Sequence, residues 1–300
     1  MTLVVIGGAT ATGKSDLAVG LAKRIGAEIV NADSMQLYRG MDIGTAKISM
    51  EERQGIAHHL LDVVDVSSDV SVAWYQAAAR LKIDELLSLR IPVIIVGGTG
   101  LYIKSILDDL NFPDTEPEVR AKLTLQAEKI GNDAMHQRLA ILDPAAALAI
   151  PRENVRRVIR ALEVIEITGK PYTANLPRAQ STRYPQALQF GLAVERESLG
   201  KRVDSRVDRM FKNGLIEEVD FLVAKGLLEG RTARAALGYA QVVALRAGEL
   251  TRDEAISQTK LVTRQYIRRQ ETWFRRDQRI HWLEESSDRL AIIEKAILHT

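Results

Sequence analysis

Gly8-Ala9-Thr10-Ala11-Thr12-Gly13-Lys14-Ser15 is the stretch on which the fold turns. It fits the spacing G-x-x-x-x-G-K-[ST] and directly follows the apolar run Leu3-Val4-Val5-Ile6. After it, Leu17, Ala18, Leu21, Ala22 and Ile25 fall on one helical face, and Gly26 is placed to end that helix. A strand, a glycine-rich loop and a helix in that order turn this spacing into a cradle for phosphate groups. The glycines let backbone N–H groups point inward, and the helix N-terminus adds a partial positive charge. Lys14 supplies a full charge, and the Ser15 hydroxyl is a ligand for a Mg2+ ion shared with the phosphates.

The cradle sits in a repeating pattern. Residues 28–32 read as a second short strand ending at Asp33, and residues 74–89 as an amphipathic helix with Leu81, Leu86 and Leu87 as core candidates. Residues 91–96 are almost uniformly apolar and end at Gly97-Gly98, as a strand buried on both faces does. Alternating strands and helices imply a parallel, doubly wound sheet. The pattern breaks after residue 111, where seven of the eight prolines and several helical stretches occur without a clear strand. It resumes at residues 189–194, and residues 280–283 read as a last strand. The expected fold is α/β: a P-loop NTPase-like parallel sheet flanked by helices, formed by residues 1–111 and 189–300, with a mainly helical insertion at 112–188.

Ligands in such sheets bind beyond the C-terminal strand ends. Three segments meet that condition: the cradle, Asp33-Ser34-Met35-Gln36, and Gly97-Gly98-Thr99-Gly100. Phosphate-hydrolysing and kinase relatives of this loop carry an acid at the end of a buried strand. Here the strand ending at Val96 has none, so Asp33 is left as metal partner, general base or both. Thr99 is a candidate hydrogen-bond donor to a phosphate or leaving oxygen. Arg202, Arg206 and Arg209 share a helix face beside the apolar stripe Leu199, Val203, Val207 and Met210, and Arg152, Arg156 and Arg160 form a second row. Such rows can be aimed at phosphates or simply solvated. Residues 264–276 interleave arginines with aromatics; Trp273 and Phe274 read as core anchors, and His58-His59 as structural.

Composition narrows the class further. There is no cysteine, hence no disulfide or thiolate metal site. Hydrophobic residues make up 46% and charged residues 27%, the balance of a soluble globular enzyme. The net charge of +2 comes from a basic final third, compatible with a polyanionic partner such as RNA. No apolar run approaches the ~20 residues of a membrane helix, so a cytoplasmic protein without membrane contact is expected.

Taken together, these residues resemble the tRNA dimethylallyltransferases (tRNA isopentenyltransferases) of bacteria. The resemblance runs through the P-loop, Asp33 to Lys47, His58-His59-Leu60-Leu61-Asp62, Gly97 to Tyr102, Arg160-Ala161-Leu162-Glu163-Val164, Leu237-Gly238-Tyr239, Thr263-Arg264-Gln265 and Trp273-Phe274-Arg275. Ala9 departs from a proline common in that family, and Ala240 from a basic residue. The resemblance implies transfer of a dimethylallyl group from dimethylallyl diphosphate to N6 of the adenosine 3′-adjacent to the anticodon. It implies Asp33 as general base, Thr99 and Arg206 at the diphosphate, and residues 8–15 as its cradle with Mg2+ at Ser15. It further implies tRNA contacts at Asp33, Ser34, Met35, Gln36, Thr99, Arg120, Arg156, Arg157, Val158, Ile159, Arg160, Arg234, Gly238 and Tyr239. The insertion would grip the anticodon stem-loop, and a monomer is expected. Two rivals share the scaffold: prenylation of free adenine nucleotides, and an ATP-dependent nucleoside kinase.

Overall fold

In a computed structural model, residues 2–110, 112–113, 115–175 and 182–299 are described; Pro177 and the expected boundary residue Asn111 lie outside them. In chain order the elements are β1 (Leu3–Gly7), α1 (Lys14–Ile25), β2 (Glu28–Asn31), β3 (His58–His59), α2 (Val72–Ser88), β4 (Val93–Gly97) and α3 (Gly100–Leu107). Then come α4 (Pro117–Ile130), α5 (Asn132–Leu142), α6 (Pro144–Ala149) and α7 (Val155–Thr168). The chain closes with β5 (Leu188–Leu192), α8 (Arg196–Lys212), α9 (Leu215–Val223), α10 (Tyr239–Arg246), α11 (Arg252–Phe274), β6 (Ile280–Leu283) and α12 (Arg289–Leu298). Two compact units result: residues 1–107 with 184–300, and residues 108–183, against the expected insertion of 112–188.

The first unit holds a six-stranded, all-parallel sheet in the order β3-β2-β4-β1-β5-β6. β1 lies inside, flanked by β4 and β5, and the order reverses there. Loops on the two sides of a reversal diverge and leave a crevice at the C-terminal strand ends. β1 is buried on both faces: Val4 and Ile6 pack with α1 and α12, while Leu3 and Val5 pack with α2 and α3. That two-sided burial is why its sequence is apolar throughout. Gly26 ends α1 at φ 66, a left-handed position where glycine avoids the Cβ penalty. In α2 the buried face is Tyr75, Ala79, Ile83, Leu86 and Leu87. Leu81 is 73% exposed, which corrects its expected place in the core; the leucine falls between the buried positions of the helix. β3, two residues long at the sheet edge, was not expected; His59 Nε2 meets Glu28 Oε2 at 2.6 Å beside it.

Glycine is required at one sheet position above all. A Cβ at Gly97 would lie 2.2 Å from the Ala32 carbonyl carbon and oxygen on the neighbouring chain segment. That neighbour is backbone and has no rotamer to yield. Gly97→Ala should therefore destabilise by about 3 kcal/mol or more, lowering the unfolding midpoint by roughly 6–12 °C. A midpoint within 1 °C of the parent would refute this packing.

The second unit is a helical bundle of α4 to α7 around Leu123, Met135, Leu139, Val158 and Leu162. Its α4–α7 contact carries a buried carboxylate. Glu163, fully buried, accepts from Arg120 Nε and Nη2 at 3.1 and 2.6 Å and from Arg160 Nη1 at 2.9 Å.

Candidate active site

A cavity of about 1060 Å³ opens at the C-terminal ends of β1, β2 and β4. Residues 10–16, 33–36, 42–48 and 96–98 line it, together with Arg206, Arg209 and Tyr266. All belong to the first unit.

The phosphate cradle forms one wall. Gly8 has φ 137 and Gly13 φ 86, conformations that glycine adopts freely. Ala11 has φ 65, an uncommon conformation for a residue with a Cβ, costing roughly 1–2 kcal/mol. The loop is held from outside: Thr12 Oγ1 donates to the Ala9 carbonyl at 2.9 Å, and Gln270 Oε1 accepts from Thr10 N at 3.0 Å. Gly13 caps α1 without any side-chain bond, so the amides of the first helical turn are left for an anion.

Asp33 stands opposite, on a loop that Asn31 shapes. Asn31 Oδ1 accepts from Asp33 N, and its Nδ2 donates to the carbonyls of Asp33 and Leu60, each at 3.0 Å. Tyr75 Oη bonds the Asn31 carbonyl at 2.8 Å. Asp33 Oδ1 accepts from Met35 N at 3.0 Å, so Asp33 also stabilises its own turn. Ser34, Met35 and Gln36 line the cavity beside it. Thr99 directly follows the cavity-lining Gly97 and Gly98. Its hydroxyl accepts from Ser34 N at 3.1 Å and lies 3.3 Å from Ser34 Oγ, so in this arrangement Thr99 braces the Asp33 loop.

Two cations complete the charge pattern. Burial pulls Lys14 down to about 8, with Asp33 opposing that shift and Arg206 reinforcing it. Burial also lowers Arg206, against the raising influence of Asp33. Arg206 Nη2 donates to the Thr45 carbonyl at 3.3 Å, while its buried Nε meets no hydrogen-bond partner among the described residues. Its neighbour Arg202 ion-pairs with Glu285 instead. Desolvated cations with spare donors around empty space define a site for a multiply charged anion.

The loop that presents Thr45 is clamped by a residue that sequence reasoning passed over. Glu218 accepts from the backbone N–H groups of Asp42, Ile43 and Gly44 at 3.1, 2.7 and 3.1 Å. Tyr239 Oη donates to the same carboxylate at 2.5 Å. Lys47, with its side chain 3% exposed, fastens the other end to Asp42, Asp62 and the Tyr38 carbonyl. The signal for Glu218 was slight, an acid in the first turn of a helix.

The residues expected to contact RNA are divided between core and surface. Tyr239 is fully buried in the core under α8 to α11, with its hydroxyl engaged, and Gly238 is buried at the start of α10. Val158 and Ile159 are 1% and 8% exposed in the helical core; their side chains pack and do not reach solvent. Arg120 and Arg160 are spent on Glu163. Arg156, Arg157 and Arg234 are exposed. A helix turns its residues alternately to core and solvent, which is why the contiguous stretch 156–160 divides in this way.

Among the described residues, no three or more His, Cys, Asp or Glu side chains gather as a metal site, and no helix is long and apolar enough to cross a membrane. Ser15, in the first turn of α1, lines the cavity together with Asp33. A hydroxyl and a carboxylate suit Mg2+, which takes most of its shell from substrate phosphates and water.

Comparison with known proteins bears on this geometry. The model of the IPP transferase family matches residues 36–277. The tRNA dimethylallyltransferase of Streptomyces coelicolor is 55% identical over 281 residues, covering 94% of this chain and 89% of that protein. That of Thermobifida fusca is 54% identical with the same coverage. The crystal structure of the full-length tRNA isopentenylpyrophosphate transferase from Bacillus halodurans superposes with a TM-score of 0.72 at 38% identity, covering 99% of this chain and 96% of that one. A eukaryotic dimethylallyltransferase captured acting on tRNA gives a TM-score of 0.82 at 26% identity, over 99% of this chain and 77% of that one. A cradle, an acid and two desolvated cations around one cavity therefore sit in a chain that belongs to the IPP transferase family.

Proposed function

We propose that this protein transfers a dimethylallyl group from dimethylallyl diphosphate to N6 of the adenosine 3′-adjacent to the anticodon of tRNA, releasing diphosphate. The observation that carries the reading is the pair of desolvated cations, Lys14 and Arg206, on the cavity shared by the phosphate cradle and Asp33. The site is furnished for a diphosphate that gains charge as a C–O bond breaks.

The chemistry follows from the nucleophile. The N6 lone pair is delocalised into the purine ring, so the amine attacks carbon weakly unless its proton is removed. Asp33 accepts that proton as N6 forms the N–C bond, and the C–O bond to diphosphate breaks. The cradle amides, Lys14 and Arg206 hold the departing charge. Bound Mg2+, with Ser15 and Asp33 within reach of it, would neutralise part of that charge. Thr99 acts through the Asp33 loop. The adenine must leave its stack to reach such a cavity. Ser34, Met35 and Gln36 are the proposed contacts for the flipped base, and exposed Arg156, Arg157 and Arg234 for the RNA backbone. A monomeric, cytoplasmic enzyme is part of the proposal.

The missing acid after β4 speaks against a kinase, and relatives that act on tRNA speak against free nucleotides as acceptors. Incubation of unmodified tRNA with the protein, Mg2+ and dimethylallyl diphosphate, followed by nucleoside analysis, should give N6-isopentenyladenosine. Transfer to AMP but not to tRNA would overturn the assignment.

Lys14 sets a pH limit. It must be protonated to meet the diphosphate, and binding raises its proton affinity, so affinity falls as pH rises through the free-enzyme value of about 8. The kcat/KM for dimethylallyl diphosphate should fall up to about tenfold per pH unit above that point. A flat profile from pH 7 to 9.5 would refute this role.

A further inference from the structure

We infer that Gln270 is a positioning residue for the leaving-group cradle, acting through Thr10 and Gly98; the inference rests on the function proposed above. Gln270 lies on α11, 4% exposed. Its amide is used at both ends: Oε1 accepts from Thr10 N at 3.0 Å, and Nε2 donates to the Gly98 carbonyl at 2.9 Å. One planar group thus ties the phosphate loop after β1 to the glycine loop after β4.

The position is enforced by packing. Ile267, one turn earlier, packs with Ala9, Leu199 and Val203 beneath the cradle. Phe274, one turn later, lies against Gly7, where a Cβ would meet the ring at 2.8 Å. A Cβ at Gly98 would come within 2.4 Å of Gln270 Nε2, so that glycine leaves room for the amide. The bond falls where the loop needs it. Thr10 immediately precedes Ala11, the strained residue at φ 65. A backbone held in a sparsely populated conformation persists only if its surroundings over-determine it. Pinning Thr10 N fixes the arm that enters Ala11 and keeps the later amides of the loop convergent. Tyr266, one turn back on α11, lines the same cavity and lies close to both Thr99 and Gln270. The helix therefore reaches both the cradle and the brace of the Asp33 loop.

The test uses Gln270→Met, which keeps the volume and removes both hydrogen bonds. Binding of inorganic diphosphate with Mg2+ is measured by calorimetry, alongside KM for dimethylallyl diphosphate and for tRNA. Leaving buried amide partners unmet is expected to weaken diphosphate binding on the order of tenfold or more, with KM for tRNA within about twofold. A second arm guards against simple misfolding. Gly98→Ala should weaken diphosphate binding by displacing Gln270, and Gly98→Ala with Gln270→Ala should be no worse than Gln270→Ala alone. Parent-like diphosphate affinity in Gln270→Met, or multiplicative losses in the double variant, would overturn the inference. Failure of the unaltered protein to bind diphosphate would instead overturn the reading of the site.

Discussion

Asp33→Asn should lose roughly 10³-fold in kcat while still binding diphosphate. Asparagine keeps the length of the side chain and an oxygen to accept from Met35 N, the bond that Asp33 Oδ1 makes at 3.0 Å. The loop built by Asn31, Asp33 and Thr99 should therefore survive the change. What is lost is the capacity to take a proton, and a positioned general base contributes about 10²–10⁴-fold. Asp33→Ala should lose at least as much activity and loosen the turn as well. A second consequence separates the base from a bystander. Asp33 opposes the burial that lowers Lys14. Without its charge, the alkaline limit on diphosphate binding should move from about 8 to lower pH. Single-turnover transfer and diphosphate titrations over pH 6–9 measure both effects. An Asp33→Asn enzyme with more than about a tenth of the parental rate would show that the proton goes elsewhere.

The sheet was legible because its signal is local. Buried parallel strands are short and uniformly apolar, and 3–6 and 91–96 read so; the cradle was legible through spacing and context together. The remainder depended on partners distant in sequence. Nothing in the run Arg268-Arg269-Gln270-Glu271 marks Gln270 as buried; its partners at Thr10 and Gly98 are 260 and 172 residues away. Glu218 looked like an ordinary first-turn acid, and its role appears only when residues 42–44 arrive against it. Tyr239 drew attention as a motif residue, yet its hydroxyl serves that same carboxylate. Exposed basic residues and buried basic residues also look alike in sequence. Arg160 and Arg156 are one helical turn apart, and only Arg160 turns inward to Glu163.

Arg206→Met should give the opposite pairing of effects from an ordinary core substitution: activity falls steeply while thermal stability holds or rises. The guanidinium is desolvated, its Nε is unpartnered among the described residues, and burial lowers its proton affinity. In the unliganded protein such a cation is a cost, and an apolar side chain of similar length relieves it. Its bond to the Thr45 carbonyl, at 3.3 Å, is long, and residues 42–44 remain clamped by Glu218 without it. Once a diphosphate occupies the cavity, the same group becomes a donor with nowhere else to spend its charge. Preorganised charge of this kind is worth about 10²–10³-fold in rate when removed, and the loss should appear mainly in kcat because charge on the leaving oxygens grows toward the transition state. Diphosphate should also raise the unfolding midpoint less in the variant than in the parent. Melting curves with and without inorganic diphosphate, set beside kcat and KM for dimethylallyl diphosphate, decide the matter. A variant that melts well below the parent would mean that Arg206 holds the fold, and a variant with parental kcat would remove it from the diphosphate.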